Sequence, residues 1–137
     1  MRTRGVRVAS VMRRDPVLQA VRFDPDSLLT PGEQDVLRRF CAGLAKLPRL
    51  PRSVAVFGSR AKGGSHAQSD LDVAVLMDGV RDRSHETALS AIALGAQQPY
   101  WMGQYGISLR PVPVYPGEPV AFLGAIRADL ETIWTRP

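Results

Sequence analysis

The sequence predicts an α/β or α+β domain in which helices cover a small mixed β-sheet. Three observations carry that expectation. Two short apolar runs rich in β-branched residues, Ser53–Phe57 and Leu71–Leu76, read as buried strands. Apolar residues recur at helical spacing after Thr30, from about Ser84 to Gly95, and again after Gly117. A third extended segment, Ile107–Tyr115, separates the last two helical patterns. The resulting order is α-β-β-α-β-α. At 137 residues the chain has the length of one domain with its own core.

Each element has a local cause. Residues 1–29 are read as an N-terminal arm or small accessory element, and 30–137 as the main domain. Asp15-Pro16 and Asp24-Pro25 break the arm into short pieces, with a strand or loose helix around Val17–Phe23. Thr30-Pro31-Gly32-Glu33 forms a capping box with proline at the first helical position. Val36, Leu37, Phe40, Cys41 and Leu44 follow on one face, so Cys41 is a core residue rather than a nucleophile. Pro48 and Pro51 end that helix, and Gly58 stops the first strand. Asp78-Gly79 closes the second strand; Ala88, Leu89, Ile92 and Ala93 then face inward from a helix. Pro111 and Pro113 cannot donate to a ladder, which makes Ile107–Tyr115 an edge strand. Phe122, Leu123, Ile126, Leu130, Ile133 and Trp134 give the apolar face of an expected last helix.

Composition excludes several classes. No apolar run approaches the roughly 20 residues of a membrane helix. The Arg-rich start (Arg2, Arg4, Arg7, Arg13, Arg14) lacks the apolar stretch of a secretory signal, since Arg7 interrupts Gly5–Met12. One cysteine allows no disulfide framework, and a reducing cytoplasm is the expected location. The net charge is +5 and suits an anionic partner. For nucleic acid, that charge is the sole indication. There is no internal repeat and no zinc spacing.

The stretch Gly58–Asp72, GSRAKGGSHAQSDLD, carries the chemistry. In a strand, residues i and i+2 share a face, so Asp70 and Asp72 project side by side where the second strand starts. Two ionised carboxylates so placed repel unless a cation lies between them. Mg²⁺ typically takes one or two protein carboxylates together with substrate phosphates. Gly58-Ser59 follows a strand and opens a short turn whose free N–H groups suit an anion, and glycine admits a phosphate close to the backbone. Arg60 and Lys62 add positive charge. Gly58-x4-Gly63 is not a P-loop, because Gly64 stands where the lysine belongs; no GxGxxG occurs. A phosphate cradle beside a carboxylate pair is the equipment of phosphoryl or nucleotidyl transfer. His66 and His85 read as surface residues, and Tyr100-Trp101 as packing rather than a base-stacking platform.

Phe57-Gly58-Ser59-Arg60-Ala61-Lys62-Gly63 followed by Ser69-Asp70-Leu71-Asp72-Val73-Ala74-Val75-Leu76 resembles the signature of the polymerase-β-type nucleotidyltransferase superfamily. The spacing is similar to the Gly-Ser-x10-Asp-x-Asp pattern of minimal nucleotidyltransferases, several of which are antitoxins paired with HEPN-domain toxins. The resemblance implies that Gly58, Ser59, Arg60, Lys62 and Ser69 hold the triphosphate of ATP or another nucleoside triphosphate. It implies that Asp70 and Asp72 are catalytic and bind Mg²⁺ or Mn²⁺. The implied reaction is in-line attack of an acceptor hydroxyl on the α-phosphorus, releasing pyrophosphate. The implied partner is a HEPN-type toxin, with a second copy of the chain as the alternative. At this length no acceptor domain remains beyond the core, so the acceptor surface is expected from a partner or from a second copy. Fully equipped relatives carry a third carboxylate on the later strand. Ile107–Tyr115 contains no acid; Ser108 and Arg110 occupy the expected place. That departure keeps a second reading open, a non-catalytic nucleotide- or partner-binding subunit.

Overall fold

The structure, a computed structural model, describes residues 21–58, 70–100, 106–117 and 130–137. Within them the chain forms α1 (Pro31–Gly43), β1 (Ser53–Phe57), β2 (Leu71–Leu76), α2 (Arg83–Gln97), β3 (Leu109–Val114) and β4 (Glu131–Thr135). Short 3₁₀ turns extend both helices, Leu44–Lys46 and Gln98–Tyr100. The sheet order is β3-β2-β1-β4. β1 runs antiparallel to both β2 and β4, and β3 runs parallel to β2. The expected α+β class with a small mixed sheet is borne out.

α1 begins where its sequence says it should. Thr30 Oγ1 accepts from the Glu33 amide at 3.1 Å, and Glu33 Oε1 accepts from the Thr30 amide at 2.8 Å. The helix buries Val36, Leu37, Phe40 and Cys41 completely. Burial pushes the Cys41 thiol up to about 12, which suits a core residue and not a nucleophile. α2 starts on Asp82, whose carboxylate accepts from the Ser84 amide at 2.8 Å. Leu89, Ala93 and Ala96 enter the same core, with Ala88 and Ile92 packed against it.

One face of the sheet belongs to that core. Val54 lies opposite Val75 and Val56 opposite Val73, and all four are fully buried. The side-chain period of two then sends Phe57, Asp72 and Arg110 to the other face.

β3 is an edge strand, as its prolines require. The Leu109 amide bonds Gln97 Oε1 at 2.7 Å rather than β2. Amides alternate in direction along a strand, so those of positions 111 and 113 would also point away from β2. Proline at those two positions removes no ladder bond.

The end of the chain corrects the sequence reading. Leu130, Ile133 and Trp134 were expected to continue a helix, but Glu131–Thr135 is a strand on β1. A bulge between Val54 and Ala55 lets Ile133 and Trp134, adjacent in sequence, both be buried. Two buried neighbours look helical under a 3.6-residue period, which is why the pattern misleads. Phe122, Leu123 and Ile126 lie outside the described residues, as does the arm before residue 21.

Residues 21–29 are tied to β4. The Arg22 amide bonds the Ile133 carbonyl at 2.8 Å. Glu131, 9% exposed, accepts from the Asp24 amide at 3.2 Å and from Ser27 Oγ at 3.0 Å. Hydrogen bonds to a charged group contribute about 1.5–3 kcal/mol. Glu131→Ala should therefore cost about 2 kcal/mol in urea unfolding at pH 7, and Glu131→Gln, which keeps a carbonyl acceptor, should cost less.

Tyr100 also has a structural role, in keeping with its expected packing function. Its hydroxyl donates to Asp35 Oδ2 at 2.7 Å. That bond, helped by Arg39 and Arg38, holds the Asp35 carboxyl below its ordinary 3.8. The same bond lifts the Tyr100 phenol above its ordinary 10.0. A lowered acid contributes stability above its unfolded value and loses it as pH falls; a raised phenol contributes below its unfolded value and loses it as pH rises. The pair is thus intact between 3.8 and 10.0 and weakens beyond either end. Tyr100→Phe should lower Tm at pH 7, and by a smaller amount at pH 3, measured by circular dichroism.

Candidate nucleotide site

The site is built where β1 ends and β2 begins. Gly58 leaves β1 with φ +82°, a left-handed conformation that favours glycine. Phe57 pairs with Asp72 across the antiparallel ladder, which sets Asp72 beside this turn. A Cβ on Gly58 would stand 2.7 Å from Asp72 Oδ2. Glycine here serves two purposes, the backbone conformation and the space for the carboxylate.

Asp72 is the second residue of β2, and its side chain is 16% exposed. Asp70 is exposed and precedes the strand by one residue. Of the residues expected to form the site, the structure thus brings Gly58 against Asp72 and leads Asp70 into the same strand. Ser59, Arg60, Lys62 and Ser69 lie outside the described residues, as does His66.

The neighbour of Asp72 on its other side is a cation. The parallel register of β2 and β3 pairs Asp72 with Arg110. Arg110 Nε donates to Asp72 Oδ1 at 2.8 Å. The position at which a third carboxylate was sought therefore holds a guanidinium in an ion pair with the second one. Ser108 sits just before β3, where its carbonyl accepts from the Leu71 amide at 2.8 Å. Asp78 is no substitute acid. It lies beyond the opposite end of β2, where Arg136 Nη1 donates to it at 2.7 Å and holds its carboxyl below the usual range. Glu118 lies outside the described residues.

Among the described residues, no group of three or more His, Cys, Asp or Glu side chains could hold a metal ion. Two carboxylates are nevertheless hard oxygen donors of the kind Mg²⁺ takes when substrate phosphates complete its shell. The donor set fits a cation held weakly by the two carboxylates and more firmly once a triphosphate completes its shell. Sequence reasoning located Arg110 but missed its partner. The pairing depends on the register of a parallel strand some forty residues away in sequence.

The family model described as polymerase beta, nucleotidyltransferase, matches residues 45–96. That span runs from the 3₁₀ turn after α1 through β1, the Gly58 turn and β2 to the penultimate residue of α2. The match spans Gly58-Ser59 and Asp70-x-Asp72, and the resemblance they carry is borne out. No curated protein matches the chain. Among solved structures, a Sulfolobus solfataricus protein provisionally assigned as a nucleotidyltransferase is 17% identical, with a TM-score of 0.47, over 78% of this chain and 89% of its own. A likeness that distant carries no argument about function.

Two glycines allow the turn to be tested. Gly79 has φ +78°, close to that of Gly58, but a Cβ there would meet only Arg49 Nη1, at 3.4 Å. Gly58→Ala and Gly79→Ala should each cost about 1–2 kcal/mol in urea unfolding from the left-handed backbone. Gly58→Ala alone should displace Asp72 and weaken ATP binding in the presence of Mg²⁺, read by titration calorimetry.

Proposed function

We propose that this chain binds a nucleoside triphosphate, ATP first among the candidates, together with Mg²⁺ or Mn²⁺. It transfers the nucleoside monophosphate to a hydroxyl of a partner macromolecule. The supporting observation is the placement of Asp72 against the Gly58 turn, with Asp70 two residues earlier, in the segment that the nucleotidyltransferase family model matches. In this reading Gly58 admits a phosphate to the backbone, and Ser59, Arg60, Lys62 and Ser69 bind its oxygens. Asp70 and Asp72 hold the cation. When bound, that cation offsets negative charge on the transferred phosphate and on the departing pyrophosphate. The chain's own groups align the α-phosphorus with the acceptor hydroxyl, which is the larger part of such catalysis. The acceptor is proposed to lie on a protein, with a HEPN-type toxin as the first candidate and a second copy of the chain as the next.

A second reading is favoured by one observation. Arg110 forms an ion pair with Asp72 at the position of a third carboxylate. A chain so equipped would bind nucleotide or partner without turnover. Losing one well-placed electrostatic contact costs on the order of 10²–10³ in rate, which slow transfer survives. Incubation with radiolabelled ATP, Mg²⁺ and the partner should therefore label the partner slowly. Asp70→Asn or Asp72→Asn should stop the labelling, and Arg110→Asp should accelerate it. A partner that is bound tightly yet stays unlabelled would select the second reading.

A further inference from the structure

We propose that Arg110 is a tethered cation that exchanges partners. It neutralises Asp72 in the ligand-free chain, and it turns onto a ligand phosphate when a divalent cation takes Asp72. This rests on the reading of Asp70 and Asp72 as the cation site.

The geometry supports both halves of the exchange. Asp72 is largely covered, and a covered carboxylate needs a counter-charge. Arg110 supplies it through Nε alone, at 2.8 Å from Oδ1. Among the described residues its two Nη groups have no hydrogen-bond partner, so most of the guanidinium fork remains available. The Arg110 side chain is 59% exposed, which leaves it free to rotate away from the strand. An arginine fork matches phosphate oxygens in two-point contact, as it matches a carboxylate. Asp72 Oδ2 faces the Gly58 turn. A triphosphate seated on that turn would therefore lie within the sweep of a side chain anchored opposite Asp72 in the register.

The two roles predict effects of opposite sign. With no nucleotide present, Arg110 competes with the metal for one carboxylate and repels it by like charge. With nucleotide present, Arg110 adds a phosphate contact. Replacement by a neutral residue should tighten the first complex and loosen the second. An exposed charge at this distance should change either constant by roughly three- to tenfold.

The test measures binding, not turnover. Mn²⁺ alone is titrated into the full chain and free Mn²⁺ is followed by electron paramagnetic resonance. ATP is then titrated at saturating Mn²⁺ by calorimetry. Relative to the unmodified chain, Arg110→Gln should lower the Kd for Mn²⁺ and raise the Kd for ATP. Against an Asp72→Asn background, Arg110→Gln should change the Mn²⁺ constant by a smaller factor, because the shared carboxylate is gone and only like-charge repulsion remains. Circular dichroism checks that each variant is folded. Equal, finite Mn²⁺ constants for the unmodified chain and Arg110→Gln would overturn the competition. Tighter binding of both Mn²⁺ and ATP would overturn the exchange and leave Arg110 a simple repelling charge. Failure of both proteins to bind any Mn²⁺ would overturn the cation-site reading itself, and the proposal with it.

Discussion

The register between β1 and β2 is the constraint on which the rest depends. Val54 and Val56 face Val75 and Val73 in the core, and the period of two then fixes every other residue of both strands. A slip of one residue would turn Asp72 into the core and take the valines out of it. Burying an ionised carboxylate there without a partner is far more costly than any turn preference. Hydrophobic burial of four valines thus decides where a polar group stands. The same register sets Phe57 opposite Asp72 and leaves Gly58 to pass the carboxylate at close range.

The two aspartates near the ends of β2 show how differently the fold treats carboxylates. Beyond its C-terminal end, Asp78 is held by two arginines through different oxygens, Arg136 at 2.7 Å and Arg52 at 3.7 Å. This arrangement ties the flanks of three strands together and is structural. Near the N-terminal end, Asp72 has one arginine on Oδ1, while Oδ2 faces a glycine chosen for space. One carboxylate has both oxygens engaged by cations; the other keeps one oxygen toward the turn that the sequence marks as a phosphate cradle. The difference in chemistry comes from neighbours, since both residues are aspartates near the ends of the same strand.

Much of the fold was legible because its causes are local. Ser53–Phe57 and Leu71–Leu76 are strands over the expected residues, bounded by Gly58 and Asp78-Gly79. The capping box at Thr30 fixes the start of α1 through atoms three residues apart. The prolines of β3 announced an edge because a missing amide is a property of the residue itself. The last element was misread for the converse reason. Glu131–Thr135 is rich in β-branched and aromatic residues, a fair strand signal, but Ile133 and Trp134 are both buried through a bulge in the pairing of β4 with β1. A strict period of two or 3.6 cannot register a bulge, since the extra residue breaks the alternation and shows only in the pairing of two strands.

The sequence by itself determined the candidate chemistry: a Gly-Ser turn, a pair of aspartates two residues apart, and a later strand with no acid. Each is a matter of residue type and spacing along one stretch of chain. Tertiary structure alone decided what those residues meet. The parallel alignment of β3 on β2 sets Arg110 against Asp72 rather than against Ala74 or out of reach, and the antiparallel alignment of β1 brings Gly58 to its other oxygen. Both alignments arise from packing summed over whole strands and the helices beneath them. No local run of residues encodes that sum, so the pairing of charges at the site became readable only when the sheet was assembled.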